Sequence, residues 1–153
     1  MTQHQQQIVA AARRWIGTPF QHQGRLKATG VSQGRCDCLG LLVAVAQELG
    51  LKTCRGTPKF LASLDERDYG HIPDGKRLQT VLDEVLNTVP NAEMQPGDVL
   101  LLRFDGAPQH LGIASDYHGG GLGIIHALAS ARKVVEHTLD PTWYQRIIKT
   151  YRL

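Results

Sequence analysis

The chain has 153 residues, of which 42% are hydrophobic and 20% are charged, a composition ordinary for a globular protein. This length favours one domain over residues 1–153, able to bury roughly two thirds of the surface of the unfolded chain. Because the net charge is only +3, and Lys and Arg are scattered without interleaved aromatic residues, we expect no nucleic-acid partner.

The N-terminal segment predicts an amphipathic helix over residues 3–15 and no secretory signal. Its apolar face holds residues at helical spacing: Ile8, Ala11, Ala12 and Trp15. Arg13 and Arg14 interrupt the apolar run that a signal peptide would need, and no stretch approaches the ~18 apolar residues that span a bilayer. We therefore expect synthesis in the cytoplasm, no membrane insertion, and delivery by another agent if the protein acts outside the cell.

The second predicted helix begins at a cysteine. Residues 39–49 are apolar on all faces except for two polar residues near the end, as expected of a central core helix, and Gly50 supplies a C-terminal stop. Asp37 suits the N-cap, since its carboxylate can accept the unpaired N–H groups of the first turn. Those N–H groups and the positive end of the helix dipole would also favour the thiolate form of Cys38.

The remaining pattern predicts one more long helix and then a sheet. Residues 52–73 indicate mainly a loop, in which residues 59–66 could form a short helix. A second amphipathic helix is expected over residues 75–88, where apolar residues recur at helical spacing: Leu78, Val81, Leu82 and Val85. Strands are expected at residues 98–104, 110–115, 123–126 and 133–138, with a final strand or short helix at 143–151. Helices followed by an antiparallel meander indicate the α+β class.

Two of the seven histidines lie at the ends of adjacent predicted strands. His110 begins one strand and His126 ends the next, and a glycine-rich hairpin loop at residues 119–121 joins them, so the two imidazoles are expected to be neighbours. A thiol nucleophile needs a base and a third polar group that fixes the tautomer of that base. Cys38, His110 and His126 therefore predict a cysteine hydrolase. The other histidines lie in polar or loop surroundings and are interpreted as surface or structural residues: His4, His22, His71, His118 and His137.

The three cysteines do not match a disulfide framework or a structural zinc site. Cys36 and Cys38 are too close for an ordinary disulfide, and a bridge between Cys36 and Cys54 has no support in the pattern. A Cys-x-Cys pair with one distant cysteine fits zinc spacing poorly. Adding His110 or His126 would complete four ligands, so zinc stays open as an alternative, although we expect no metal or cofactor.

Five short motifs together resemble one known family. The segment Asp37-Cys38-Leu39-Gly40-Leu41 resembles the Asp-Cys-x-Gly-Leu signature of the NlpC/P60 cysteine peptidases, which have a papain-like fold. The other segments similar to family motifs are Trp15-Ile16-Gly17-Thr18-Pro19-Phe20, Gln95-Pro96-Gly97-Asp98-Val99-Leu100, His110-Leu111-Gly112-Ile113 and Ile125-His126-Ala127. Five motifs in the family's order are far more specific than any one alone, whereas residues 53–91 carry no recognised motif.

The resemblance implies a role for each motif residue. Cys38 would be the nucleophile at a helix N-terminus packed on an antiparallel sheet, His110 the general base and then acid, and His126 the orienting third member. The implied reaction is hydrolysis of amide bonds in peptidoglycan stem peptides, often between D-γ-glutamate and diaminopimelate, through a thioester acyl-enzyme. The segment from Gln21 to Arg25 is similar to a phage-associated branch whose members accompany tail proteins. Phage tail proteins are thus implied partners, and a virion could present the enzyme to the cell wall.

Four residues around the implied triad are candidate substrate contacts: Asp37, Phe20, Gln21 and Leu39. Phe20 stands where the family usually has tyrosine, and Leu39 stands where serine is frequent, so both bear on substrate preference more than on the chemistry. Two alternatives stay open. One is an amidase or acyltransferase that uses the same triad, and the other is a tail-assembly structural protein with a vestigial site. The intact set of Cys38, His110 and His126 argues against the second.

Overall fold

The computed structural model describes residues 1–22, 25–26, 34–51, 76–104 and 107–153. Predictions outside this part of the chain are the loop over residues 52–73, the short helix at residues 59–66 within it, Cys54 and His71.

The helices are α1 (Gln3–Arg13), α2 (Cys38–Glu48), α3 (Lys76–Val85) and the short α4 (Pro141–Tyr144), with a 3-10 turn at Asn91–Glu93. The first three confirm the predicted helices, with ends that differ by at most three residues. Thr2 and Gln5 form a capping box at the start of α1, in which each side chain accepts the backbone N–H of the other residue. Gly50 follows α2 with a φ of +60°, a left-handed conformation that glycine adopts without strain. None of the described helices combines the length and the apolar character needed to cross a membrane.

The strands form a two-stranded and a six-stranded sheet. The small sheet pairs β1 (Arg25–Leu26) with β2 (Arg35–Cys36). The large sheet contains β3 (Asn87–Val89), β4 (Val99–Phe104), β5 (Ala107–Asp116), β6 (Leu122–Leu128), β7 (Lys133–Thr138) and β8 (Ile147–Arg152). Its strand order is β3-β8-β4-β5-β6-β7, and all neighbours are antiparallel. The predicted α+β class and antiparallel meander are therefore confirmed.

One prediction for the sheet is confirmed, and another differs from the structure. Residues 143–151 were expected to form a strand or a short helix, and they contain the end of α4 and most of β8. The helix expected over residues 75–88 ends at Val85, and the chain then continues into β3, which pairs with β8. Helical periodicity does not mark this change, because β3 is only three residues long and its pairing partner lies about sixty residues away in sequence.

The two faces of the large sheet bury different partners. On one face, residues of β5 and β6 such as Ile113, Ile125 and Ala127 pack against α1 and α2. On the other face, Ala114 and Ile124 pack with residues from β4, β8 and the segment around α4. Since side chains alternate along a strand, His126 lies opposite Ile125 and Ala127, on the face away from the two helices. The fold thus presents a helix start and a set of strand side chains to the candidate site.

Candidate active site

Cys38 is the first residue of α2, and the Asp37 side chain caps this helix as predicted. The Asp37 carboxylate accepts the N–H of Gly40 at 2.7 Å. Burial, and then the charge of Asp37, raise the pKa of Cys38 to about 12. Backbone hydrogen bonds from Leu111, Leu39 and Cys38 itself act in the opposite direction. The expectation that the helix start favours a thiolate is therefore wrong for the free protein: the N–H groups do lower the pKa, but burial and Asp37 outweigh them.

Cys36 is a buried structural residue, in line with its interpretation from the sequence. It is fully buried, and its thiol donates to the backbone carbonyl of Asp37 at 3.1 Å. Burial, followed by the charges of Asp37 and Cys38, raises its pKa well above the ordinary value. Cys36 and Cys38 are both free thiols. Of these two, only Cys38 is partly exposed.

The structure brings His110 and His126 together, as the strand-end argument predicted. Nε2 of His110 and Nδ1 of His126 are 2.7 Å apart, a hydrogen-bond distance, and the ring centroids are 4.9 Å apart. Gly112 makes room for the Ile124 side chain next to this pair: a Cβ there would lie 2.5 Å from Cδ1 of Ile124, and 3.4 Å from Cβ of His126, an ordinary contact. Pairing between β5 and β6 ends at Ile113 and Ile125, before His110 is reached.

A third imidazole, that of His137, joins this pair. Its Nε2 lies 2.9 Å from Nε2 of His126, and its Nδ1 lies 2.8 Å from the backbone carbonyl oxygen of Thr138. The interpretation of His137 as a surface or structural residue did not include this contact with His126. Strand alternation carried the missing signal: β7 pairs His126 with Val135, and His137, two residues further along, points to the same face. Using that signal requires the register of β6 on β7, which the sequence alone does not supply.

Aromatic side chains enclose the histidine row, which is the row of imidazoles formed by His110, His126 and His137. Trp143 lies edge-on to His126, with centroids 5.0 Å apart at 88°, and it also packs against His137 at 4.8 Å. Phe104 packs against His110 at 5.2 Å, and the Arg146 guanidinium lies over Phe104. This enclosure removes water from the rings, so the neutral form is favoured.

The protonation of the histidines follows from this burial. Burial lowers the pKa of His110 to about 4. Burial, and then the neighbouring charges of His110 and His137, lower the pKa of His126 to about 2. Both rings are thus neutral near pH 7, and a neutral imidazole is the form that can accept a proton.

A backbone hydrogen bond connects Cys38 to the strand that carries His110. The hydrogen bonds of the described residues include none between the two side chains; the Cys38 sulfur accepts from the backbone of Leu111, the residue after His110. The Cys38 sulfur is thus bonded to the residue next to His110. Catalytic hydrogen bonds are often long or poorly aligned before substrate binds, so the missing bond between Cys38 and His110 is compatible with proton transfer in a substrate complex.

The candidate substrate contacts have different surroundings. Gln21 is exposed, and its backbone N–H bonds to the Cys36 carbonyl. Phe20 is half-buried and pairs with Cys36 in an isolated bridge, which keeps it near the start of α2. Asp37 is buried and serves as the helix cap. Leu39 is 3% exposed within the main core, so a substrate contact for Leu39 is not supported: its side chain packs inward against the sheet.

In the part of the chain that the structure describes, no three or more His, Cys, Asp or Glu residues are grouped to hold a metal ion. Both ring nitrogens of His126 are engaged by other imidazoles. The zinc ligand set considered from the sequence is therefore not assembled by the described residues.

Comparison with known proteins gives one family. The family model described as NlpC/P60 family matches residues 17–152. The structure of the NlpC/p60 domain of the peptidoglycan hydrolase SagA has a TM-score of 0.60 and 21% identity, covering 97% of this chain and 98% of that one. The peptidoglycan hydrolase RipB from Mycobacterium tuberculosis gives 0.60 and 21%, covering 98% and 64%. An N-acetylmuramoyl-L-alanine amidase from Bacteroides uniformis gives 0.58 and 11%, covering 99% of each chain. No curated protein sequence matches significantly. At these identities the structural likeness concerns the fold.

Proposed function

Because the chain belongs to the NlpC/P60 family, we propose that it is a cysteine peptidase that hydrolyses an amide bond in peptidoglycan stem peptides. Cys38 is the nucleophile in this proposal, His110 the general base and acid, and His126 the residue that orients His110. One observation carries the assignment. The hydrogen bond to His126 occupies Nε2 of His110 and leaves Nδ1 to take a proton, while the next residue, Leu111, is bonded to the Cys38 sulfur.

The proposed reaction is acyl transfer to a thiol and then to water. The Cys38 sulfur bonds to the amide carbonyl carbon as the thiol proton moves to Nδ1 of His110. The adduct then expels the amine, which takes this proton from His110, and a thioester remains on Cys38. Water attacks the thioester carbon and gives a proton to His110. The carbon–sulfur bond breaks, His110 returns the proton to the sulfur, and the carboxylic acid leaves.

The backbone at the start of α2 supplies the complementary charge. The negative oxygen of each tetrahedral adduct would accept N–H groups of the first helical turn near Cys38. One such donor is worth about 3 kcal/mol of transition-state stabilisation in comparable hydrolases. This contribution needs no particular side chain.

The pKa values favour a neutral resting site. With a pKa of about 12 for Cys38 and about 4 for His110, the thiol and imidazole are both uncharged near pH 7. Proton transfer to His110 therefore accompanies the attack on the substrate, and no thiolate–imidazolium pair is formed in advance.

The finer features of the substrate rest on the sequence resemblance. We propose the bond between D-γ-glutamate and diaminopimelate as the site of cleavage. We also propose that phage tail proteins carry the enzyme to the cell wall, because the segment from Gln21 to Arg25 is similar to that of the phage-associated branch. Mass spectrometry of purified phage particles should detect the peptide that contains Cys38; its absence from intact particles would contradict this mode of delivery.

An amidase is the second candidate. This candidate is supported by the similarity of the fold to that of the amidase from Bacteroides uniformis. The same chemistry of Cys38 and His110 would cleave any amide bond placed at the site. Cleavage at the link between the sugar and the stem peptide would identify this alternative.

Mass spectrometry of muropeptides tests both candidates at once. Purified peptidoglycan is digested with the wild-type protein, with Cys38→Ala, and with Cys36→Ala as a matched control that removes the neighbouring thiol. We expect new stem-peptide fragments from the wild type and from Cys36→Ala and none from Cys38→Ala. Folded wild-type protein that releases no fragment, or Cys38→Ala protein that remains active, would refute the peptidase proposal.

A further inference from the structure

We propose that His137 is a positioning residue that sets the tautomers of His126 and His110 and so keeps Nδ1 of His110 free to accept a proton. His137 bonds to His126, and its other ring nitrogen bonds to the carbonyl of Thr138. The catalytic consequence rests on the function proposed above. The arrangement of protons does not, and it can be measured without substrate.

The Thr138 carbonyl determines which ring nitrogen is the donor in each hydrogen bond between the imidazoles of His137, His126 and His110. A carbonyl oxygen only accepts, so Nδ1 of His137, 2.8 Å away, carries a hydrogen and donates it. In a neutral imidazole the other nitrogen then has a lone pair, and Nε2 of His137 accepts. Nε2 of His126, 2.9 Å away, must therefore be the donor.

The same rule for donors and acceptors then determines which nitrogen of His110 carries the hydrogen. Because Nε2 of His126 carries the hydrogen, Nδ1 of His126 is an acceptor. Nε2 of His110, 2.7 Å away, then donates to it, which leaves Nδ1 of His110 without a hydrogen. This unprotonated nitrogen is the one that the proposed mechanism requires.

Without the carbonyl the row would have no preferred direction. The reverse arrangement puts hydrogens on Nδ1 of His126 and Nδ1 of His110 and satisfies the bond between these two rings equally well. In that state His110 would present a donor to the thiol and could not take its proton. A wrong histidine tautomer is severely damaging in serine proteases with a Ser-His-Asp triad on an unrelated fold, where it lowers kcat by about 10,000-fold.

Burial gives His137 its influence. His126 is fully buried, and Trp143 packs against both His126 and His137. If the acceptor on His137 were removed, the N–H of His126 would be left unsatisfied in this setting. A buried unsatisfied donor is costly enough to favour the opposite tautomer by about tenfold to hundredfold.

The test compares two substitutions at one position. His137→Phe keeps an aromatic ring against Trp143 but has no acceptor, whereas His137→Gln can offer an amide oxygen to His126. Nitrogen NMR of histidine-labelled protein reports which nitrogen of His110 and His126 bears the hydrogen. In the wild type at pH 7 we expect the hydrogen on Nε2 of both rings. His137→Phe should move it toward Nδ1, and His137→Gln should restore it to Nε2.

Kinetics on peptidoglycan supply the second readout. His137→Phe should lower kcat about tenfold to hundredfold with little change in KM, and His137→Gln should recover most of the loss. A wild-type spectrum with the hydrogen on Nδ1 of His110 overturns the proposal even if His137→Phe fails to fold. So does a folded His137→Phe protein with unchanged tautomers. If the wild type shows the expected tautomers and cleaves no peptidoglycan, the proposed function fails and the tautomer arrangement stands.

Discussion

Cys38 and His110 are positioned by different parts of the polypeptide. Cys38 is fixed by backbone: it opens α2, and the N–H of Leu111 bonds to its sulfur. His110 is fixed by side chains, through a row that runs across β5, β6 and β7 and includes His126 and His137. The support of the cysteine is therefore mostly independent of side-chain identity, whereas the support of the histidine depends on it at every link.

Burial keeps both regions uncharged, although it shifts their pKa values in opposite directions. Burial raises the pKa of the acidic group, Cys38, and lowers the pKa of the basic groups, His110 and His126. Both shifts favour the neutral form, and both require that water stay out of the site. A substrate that displaces the remaining water would bind to a site already prepared for a coupled proton transfer.

The largest expected effect comes from breaking the histidine row at its centre. His126→Phe retains an aromatic ring against Trp143 but removes both hydrogen bonds, so the tautomer of His110 is no longer fixed. We expect kcat/KM on peptidoglycan to fall about 1,000-fold or more, and His126→Asn, which keeps polar groups, to lose less. His118→Phe changes an exposed histidine outside the row and serves as the control. Equal activity of the two phenylalanine variants would contradict the assigned role of His126.

The pH dependence of stability should separate the two regions. The pKa of His126 is lowered from 6.5 to about 2 and that of His110 to about 4. Below pH 6.5 the unfolded chain binds these protons and the folded chain does not. The free energy of unfolding should therefore fall as pH decreases from 6.5 toward 4, by up to about 1.4 kcal/mol per pH unit for each histidine.

Cys38 should change the pH dependence of stability on the alkaline side. Its pKa is raised from 9.0 to about 12, so above pH 9 the unfolded chain loses a proton that the folded chain keeps. Stability should then fall as pH rises from 9 toward 12. Urea denaturation from pH 4 to 10 measures both slopes, with His126→Asn expected to flatten only the acid side and Cys38→Ala only the alkaline side. If His126→Asn leaves the acid slope of the unfolding free energy unchanged, the burial of His126 is not the cause of that slope.

A smaller effect on activity is expected from a substitution at Gly112 of β5, next to the histidine row. Gly112→Ala would place a Cβ 2.5 Å from Ile124, and backbone or side chains must shift to relieve the overlap. Such overpacking costs about 1–3 kcal/mol of unfolding free energy. The shift would also disturb the bond between His110 and His126, so activity should fall more than the stability loss alone explains. Gly120→Ala, in the exposed hairpin loop, has open space around it but strains a backbone with a φ of +91°, so it should lower stability and leave activity per folded molecule unchanged.

The same contrast explains how much of this molecule the sequence could predict. The cap at Asp37, the start of α2 at Cys38 and the stop at Gly50 depend on neighbours a few residues apart, and local patterns are enough to find them. His110 and His126 were predicted to be adjacent because one hairpin loop joins their strands. Their pairing needs only the strand ends and not the register.

His137 and the pKa of Cys38 depend on the folded environment. His137 reaches His126 only in one register of β6 against β7, and a shift by one residue would turn it to the other face. The thiolate expectation for Cys38 used the helix start, which is local, and could not include burial, which is set by the packing of α2 on the sheet. Effects that need more than one strand pairing were thus beyond the sequence patterns.

The smallest predicted effects test whether the cysteine is supported by backbone alone. Asp37 has two separable influences there: its carboxylate caps α2 through Gly40, and its charge raises the pKa of Cys38. Asp37→Asn keeps an oxygen for the cap and removes the charge, whereas Asp37→Ala removes both. We expect Asp37→Ala to cost about 1 kcal/mol of unfolding free energy and Asp37→Asn much less. Both should lower the pKa of Cys38 and so speed its alkylation by iodoacetamide at pH 8, because more thiolate is present at that pH. Equal losses of stability in the two variants would show that the cap is not the stabilising contact. Unchanged alkylation in both would show that the charge of Asp37 does not influence the protonation of Cys38, and the backbone at the start of α2 would then be the whole support of this residue.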